Sequence, residues 1–181
     1  MLIAITGYKF SGKSLASEAL SAYMDYEVFS FATPLKRMIC ALTGCTMEQL
    51  EIFDFKENSI VPEHLFPYCS DERHNYRSLL QGLGDYMRDK NEDIFVDSTL
   101  STCGKNAIIS DLRFVNEAKA VKEAGGIIIR IVRDGISGSS EHKSETQIDL
   151  IEPDYIICNN SSLRDFDGRI RALSRILKAF E

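Results

Sequence analysis

The chain has 181 residues, of which 44% are hydrophobic and 27% charged, and this size and composition fit one compact globular domain. Its formal net charge is −6, so it lacks the basic excess typical of proteins that bind duplex nucleic acid. The longest apolar run is short and contains Arg130, and no charged leader precedes the first strand, so we expect neither a membrane span nor a secretory signal. Five cysteines without a C-x-x-C pair predict reduced thiols, no zinc site and a cytoplasmic location.

Short apolar runs alternate along the chain with amphipathic stretches. We predict, in order, a strand at 2–6, a helix at 13–24, a strand at 27–29, a helix from Pro34 to Gly44 and a shorter helix behind a Thr46–Gln49 capping box. Residues 53–74 have no clear period, which predicts an irregular insertion. Next come helices at 76–88 and 94–100, a strand at 107–110, a helix at 114–124, a strand at 127–132, a flexible loop at 134–140, a strand at 155–158 and a helix at 163–180. This alternation predicts a three-layer α/β/α sandwich around a mostly parallel, five-stranded sheet.

The segment between the first strand and the first helix is Gly7-Tyr8-Lys9-Phe10-Ser11-Gly12-Lys13-Ser14, which matches the phosphate-binding pattern G-x-x-x-x-G-K-S/T. Glycines let backbone N–H groups curl around phosphate oxygens, and the following helix points its positive end at them. We predict that this P-loop, with Leu15 after it, binds ATP. Lys13 would contact the β- and γ-phosphates, and the Ser14 hydroxyl would be a Mg²⁺ ligand.

An apolar strand at 107–110 is followed by Asp111. Ligands of an open parallel sheet lie at the carboxyl ends of its strands, so we expect Asp111 to hold Mg²⁺ through water beside Ser14. The alternative role is a helix N-cap. Arg113 follows two residues later.

Further cations occupy helical and strand positions. Arg77, Gln81, Gly84 and Arg88 share one helix face, which suits a flat polar ligand bearing phosphate, although a solvated face is the alternative. Arg133 ends a strand just before the Gly/Ser-rich loop. If that loop closes as a lid, Arg133 would neutralise the charge of the transferring phosphoryl group. A structural salt bridge is the alternative for Arg133 and for Arg130.

Four further motifs occur in order along the chain: F-A-T-P-L-K at 31–36, R-S-L-L-Q-G-L-G at 77–84 with Arg88 beyond, D-L-R-F-V-N-E at 111–117 and H-K-S-E at 142–145. They resemble the deoxynucleoside monophosphate kinases of large DNA phages over nearly the whole chain. The resemblance implies an adenylate-kinase-like P-loop NTPase fold. We expect a single kinase domain with a lid loop at about 133–143. The insertion at 53–74 departs from the family pattern beyond Lys56-Glu57, and this leaves the acceptor base undetermined.

The same resemblance implies transfer of the ATP γ-phosphate to a deoxynucleoside monophosphate. It places at the acceptor nucleotide Lys36, Arg77, Gln81, Arg88 and Arg113, with Asn116 and Glu117 lining or supporting that site. We add Arg37, the neighbour of Lys36. His142, Ser144 and Glu145 have no assigned role, and Ser144 could cap a helix. A phage-encoded enzyme would work in the host cytoplasm.

Phosphoryl transfer requires mainly positioning and charge neutralisation, so the catalytic residues would be Lys13, Asp111, Arg113 and Arg133. Two alternatives remain open: a P-loop kinase for another acceptor, such as phosphomevalonate or dephospho-coenzyme A, and an acceptor-independent ATPase. A GTPase would need an N-K-x-D segment, which the sequence lacks. The partners expected are small nucleotides, with the chain a monomer or homodimer and its base selectivity undetermined.

Overall fold

The computed structural model describes residues 1–62, 65, 75–137 and 146–180, and the chain divides into two compact units. One unit joins Met1–Phe31 to Thr99–Glu181, and the other is the continuous segment Ala32–Ser98. Most of the predicted lid loop lies outside the described residues, as do His142, Ser144 and Glu145. The organisation as a single kinase domain stays a prediction.

A five-stranded sheet forms the centre of the first unit. Its strands are β1 (Leu2–Thr6), β2 (Glu27–Phe29), β3 (Ala107–Leu112), β4 (Ile127–Val132) and β5 (Tyr155–Cys158). Their order is β2-β3-β1-β4-β5, and all four neighbouring pairs are parallel. β1 is buried along its whole length, as an unalternating apolar strand covered on both faces must be. The predicted parallel five-stranded sheet is confirmed.

The helices of the described residues are α1 (Lys13–Met24), α2 (Thr33–Thr43), α3 (Met47–Glu51), α4 (Phe53–Asn58), α5 (Tyr76–Lys90), α6 (Ile94–Leu100), α7 (Val115–Glu123) and α8 (Leu163–Lys178), and a 3₁₀ helix spans Ile148–Leu150. None of these combines the length and apolar character that crossing a bilayer requires.

Helices cover both faces of the sheet. On one face α1 packs against α8, and Ile3 and Ile5 of β1 share a core with Leu20 and Phe166 from these helices. The chain crosses the sheet in one direction from β1 to β2 and in the other from β3 to β4. Right-handed crossovers therefore place α7, which contacts β1 and β4, on the opposite face. The three-layer sandwich is confirmed.

The second unit is helical and has a core of its own, which contains Leu35, Ile39, Leu50, Val61, Tyr76 and Phe95. The expectation of irregular structure is wrong for residues 53–58, which form α4. This helix is too short for an apolar period to show in the sequence, but Phe55 places its ring 4.7 Å from that of Tyr76. Most of residues 63–74 lie outside the described part of the chain.

Candidate active site

The predicted P-loop begins directly after β1, at the carboxyl end of the central strand. Gly7 has φ 144°, and a Cβ there would collide with the carbonyl oxygen of Ile131. Gly12 has φ 106°, and a Cβ there would collide with the side-chain amide of Asn159. Phe10 between them also has a positive φ, of 67°. Both glycine positions therefore require glycine for backbone conformation and for space.

Hydrogen bonds within the loop fix its curl. The Ser11 N–H donates to the Tyr8 carbonyl over 3.2 Å, and the Lys13 ammonium donates to the same oxygen over 2.7 Å. The Tyr8 hydroxyl donates to the Asp149 carboxylate over 2.5 Å, which attaches the loop to the 3₁₀ helix. A lysine ammonium has three donors, so Lys13 can keep its bond to the loop and still contact a phosphate.

The N-terminus of α1 lies at the end of the loop and suits an anion. Its N-cap is Gly12, which has no side chain to cap the first N–H groups, and its first turn contains no acidic residue. These donors and the helix dipole give this end a partial positive charge. Ser14 lies exposed in the first turn, followed by the half-exposed Leu15, and the Lys9 ammonium lies 5.1 Å from the Phe10 ring centroid.

Asp111 lies inside β3, because this strand continues to Leu112, beyond the predicted end at Ser110. Its carboxylate accepts from the Ser30 hydroxyl at 2.6 Å and from the Phe31 N–H at 2.8 Å. The alternative role as a helix N-cap is wrong, since α7 begins only at Val115. A carboxylate is an oxygen ligand of the kind that Mg²⁺ and its bound waters prefer.

Glu117 supports the backbone that carries Arg113. Its Oε2 accepts from the backbone N–H of Arg113 at 2.8 Å and from that of Phe114 at 3.0 Å, and its side chain is buried. Of the two roles expected for Glu117, lining or supporting, these contacts correspond to support. Arg113 and Asn116 are both half-buried near this turn.

The two arginines around β4 differ in their surroundings. Arg130 donates to the carbonyl oxygens of Ile148, at 2.6 Å, and of Ile151. It therefore binds carbonyl groups of the segment that includes the 3₁₀ helix, a neutral contact in place of the salt bridge considered from sequence. Arg133 is exposed, and the Asp134 N–H after it donates to the Asn160 side chain over 2.8 Å.

In the second unit, two residues predicted to bind the acceptor nucleotide each form a salt bridge with a carboxylate of α3 or α4. The Lys36 ammonium lies 2.5 Å from Glu51, whereas Arg37 beside it is exposed. Arg77 pairs with Glu57, and its guanidinium carbon lies 5.5 Å from the Phe53 ring centroid.

Arg88 occupies the space that Gly84 leaves open on α5. Its guanidinium lies 4.9 Å from the Phe95 ring centroid and 4.0 Å from the Asp85 carboxylate. A Cβ on Gly84 would lie 3.0 Å from the Arg88 side chain. The side chains of Arg77 and Arg88 are 32% and 22% exposed, and Gln81 between them is half-buried. These partly buried side chains do not form the fully solvated helix face that was the alternative.

Two residues that the sequence analysis did not identify contact predicted site residues in the structure. Asn159 follows β5 and contacts the P-loop, and Glu57 pairs with Arg77. A polar residue at the carboxyl end of a predicted strand was the available signal for Asn159. For Glu57 no sequence signal identified the partner, because twenty residues separate it from Arg77.

A phosphate loop between the central strand of a five-stranded parallel sheet and the following helix defines a P-loop NTPase fold. A family model described as deoxynucleotide monophosphate kinase matches residues 47–170. The chain belongs to the deoxynucleotide monophosphate kinase family. It is therefore a kinase that phosphorylates a deoxynucleoside monophosphate, as the motifs predicted, and the alternative acceptors and the acceptor-independent ATPase give way to this assignment.

Individual proteins agree with the family match. A protein of Acanthamoeba polyphaga mimivirus, provisionally named a deoxynucleotide monophosphate kinase, is 30% identical over a gapped alignment of 188 positions that covers 94% of each chain. The deoxynucleotide monophosphate kinase of Escherichia phage RB69 is 28% identical over 68 residues, 38% of this chain and 28% of that protein. The crystal structure of TT1252 from Thermus thermophilus superposes with a TM-score of 0.50 over 100% of this chain and 98% of that one. The two sequences are 18% identical, so this similarity concerns the fold alone.

Proposed function

We propose that the phosphoryl donor is ATP with Mg²⁺, bound by the P-loop, and that arginine side chains hold the 5′-phosphate of the acceptor. The observation that carries the donor assignment is the loop from Gly7 to Ser14, with the Lys13 ammonium and the α1 N-terminus at its end. Backbone N–H groups, a lysine and a helix N-terminus together form a site for a polyphosphate.

The residues present fit Mg²⁺, which prefers oxygen ligands and keeps several of its waters. Ser14 is exposed in the first turn of α1, and Asp111 supplies carboxylate oxygens near the carboxyl end of β3, the strand beside β1. Ser14 would bind the ion directly and Asp111 through water. The ion, when bound, neutralises charge on the phosphates.

For the acceptor nucleotide we propose contacts from Lys36, Arg37, Arg77, Gln81, Arg88, Arg113 and Asn116, with Glu117 holding the turn before α7. Arginine forks bind phosphate oxygens in pairs, and their planes stack on flat ligands. Arg77 and Arg88 each already lie beside an aromatic ring, which restricts the directions their guanidinium groups can take.

In the reaction, an oxygen of the acceptor 5′-phosphate attacks the γ-phosphorus, and the bond from that phosphorus to the bridging oxygen of the β-phosphate breaks. The attacking oxygen is already anionic, so the chain needs no general base. Lys13, Arg113 and Arg133 would neutralise the charge on the transferring group. The work of these residues is positioning and charge stabilisation.

The test is ADP formation from ATP and Mg²⁺ with dGMP, dTMP, dCMP, dAMP and the matching ribonucleotides, beside a reaction without acceptor. We expect one or more deoxynucleotides to stimulate ADP formation strongly above the acceptor-free rate. Equal rates with and without every nucleotide, by a protein that still binds ATP, would overturn the acceptor assignment. The panel also measures the selectivity for the base and for deoxyribose.

A further inference from the structure

Asn159 is a buried polar residue that joins the end of β5 to the P-loop. Its Nδ2 donates to the Ser11 carbonyl over 2.8 Å, although 148 residues separate the two in sequence. The backbone N–H of Asn159 donates to the Val132 carbonyl over 2.7 Å, which fixes its main chain at the end of β4. Only 7% of the residue is exposed, so its amide is held in place by protein on nearly every side.

This hydrogen bond fixes the orientation of one peptide group in the loop. In a trans peptide the C=O and the following N–H point in opposite directions, and the described residues contain no cis peptide bond. When Asn159 holds the Ser11 carbonyl toward itself, the Gly12 N–H must point away from Asn159. That N–H is a backbone donor at the N-cap position of α1.

The same Asn159 amide also packs directly against Gly12. Gly12 has no Cβ, and the atom that would collide with one is Nδ2 of Asn159. The Phe166 ring of α8 lies behind, 3.6 Å from that Cβ position. The Asn159 amide therefore fills the space that a Cβ would occupy at Gly12, and the two residues pack in direct contact.

We propose that Asn159 is a positioning residue for the phosphate loop, which holds the Ser11–Gly12 peptide so that the Gly12 N–H is directed at the donor polyphosphate. This inference rests on the donor site described under Proposed function. Asn159 itself touches the loop and no reacting atom. Its loss should therefore weaken binding of any polyphosphate, with or without a base attached.

The test is Asn159→Asp, which keeps the shape and replaces the Nδ2 donor by an oxygen that repels the Ser11 carbonyl. Equilibrium titration with ATP and Mg²⁺, and separately with inorganic tripolyphosphate and Mg²⁺, gives the two dissociation constants. We expect both constants to rise about tenfold or more, because a buried acceptor loses its donor. The KM of the deoxynucleotide acceptor should change less than about twofold, since the acceptor contacts are elsewhere.

Lowering the pH gives a second readout. A protonated carboxyl carries an O–H that can donate to the Ser11 carbonyl, so the difference in tripolyphosphate affinity between Asn159→Asp and the wild type should shrink as the pH falls from 8 to 5. The matched control is Asn106→Asp, at an exposed position before β3 that contacts the N-terminal ammonium. It should bind both ligands like the wild type at every pH.

Thermal unfolding without ligand determines the temperature at which each variant is folded, and the titrations are run below it. If Asn159→Asp does not fold, Asn159→Ser retains a shorter hydroxyl donor and should give an intermediate loss of affinity. Equal affinity of folded variant and wild type for both ligands would overturn the proposal. Weaker ATP binding with unchanged tripolyphosphate binding would also overturn it, by assigning Asn159 to the nucleoside. A wild type that binds neither ligand would refute the donor site itself.

Discussion

Arg77 is held on two sides by side chains that the motif did not identify. Its Nε donates to Glu57, and its guanidinium lies beside the Phe53 ring. Both partners belong to α4, the helix that replaces the expected irregular segment. A guanidinium fixed at its Nε edge and on one face has lost much of its freedom in the unliganded protein, and this would lower the entropy cost of binding the acceptor phosphate proposed above.

We expect Glu57→Gln to raise the KM of the acceptor about two- to tenfold, because immobilising a long side chain on binding costs about 0.5–1.5 kcal/mol. The KM of ATP should stay unchanged. Steady-state kinetics with each substrate varied in turn make the measurement, and Glu123→Gln, in an exposed pair on α7, is the control. A lower acceptor KM in Glu57→Gln would contradict this prediction and would mean that the carboxylate competes with the phosphate.

The phosphate loop could be predicted residue by residue because each of its positions has a local cause. Gly7 and Gly12 need positive φ, and Lys13 and Ser14 supply a charge and a hydroxyl next to the helix that they begin. The contacts of Asp111, Glu117 and Arg130 could not be predicted in the same way. Their partners are set by how the chain turns back on the sheet, and no local pattern encodes that.

At the scale of elements, Asp154, which directly precedes β5, forms hydrogen bonds with both β4 and α7. Its carboxylate accepts from the Ile128 N–H at 2.7 Å and from Lys122 at the end of α7, and its own N–H donates to the Ile128 carbonyl. Partial burial alone would raise the pKa of this carboxyl. The hydrogen bonds from Ile128 and Lys122 outweigh burial, so the pKa of Asp154 lies below its ordinary value.

A lowered pKa in the folded state means that ionised Asp154 stabilises the fold at neutral pH. That contribution is fully present above the unfolded-state pKa of about 4, and it is lost as the pH falls through the lower folded-state pKa. We therefore expect Asp154→Asn to destabilise the protein clearly at pH 7 and progressively less below about pH 4. Urea unfolding over this pH range measures the effect, with the exposed Asp89→Asn as control. A difference from the wild type that does not change with pH would contradict the assignment.

Most elements could be predicted because their signals are local. The apolar runs gave all five strands, Thr46 and Gln49 form the expected capping box, and Gly44 ends α2 in a left-handed conformation. α4 could not be predicted, since its six residues are too few to show a period. The end of β3 was placed early for another reason. The apolar run stops at the carboxylate of Asp111, but the next residue, Leu112, still pairs with Thr6 of β1.

For the whole molecule, the parallel sheet, its layers and the kinase family could be predicted from alternation and from motifs in order. The sheet order could not, since many orders satisfy the same alternation, and neither could the division into a discontinuous and a continuous unit. Strand partners and unit boundaries depend on the total packing of the chain.

Nucleotide binding should be visible as stability of the whole fold. A ligand that binds only the native state, at about 100 times its dissociation constant, adds about 2.7 kcal/mol to the free energy of unfolding. We expect ATP with Mg²⁺ to raise the melting temperature of the wild type and to have little effect on Lys13→Ala. Without nucleotide the two should unfold within a few degrees of each other, since a single hydrogen bond such as the partly buried one from Lys13 to Tyr8 contributes about 1 kcal/mol.

Lys119→Ala, on the exposed face of α7, is the matched control and should respond to ATP like the wild type. Differential scanning fluorimetry over a series of ATP concentrations makes the measurement. A Lys13→Ala protein with the full ATP-dependent shift, or with normal turnover, would refute the role of the phosphate loop.

The central place of β1 sets an order of events during synthesis. β1 leaves the ribosome well before its partners β3 and β4, so its ladder with them cannot form until residues 107–132 have been made. The segment Ala32–Ser98 has contacts of shorter range and can collapse earlier. The phosphate loop follows β1, but its hydrogen bond to Asn159 forms only after that later residue has been made. If the loop binds the donor as proposed, a nascent chain would hold a polyphosphate only after Asn159 has been made, and shortened products ending before β5 would not bind it.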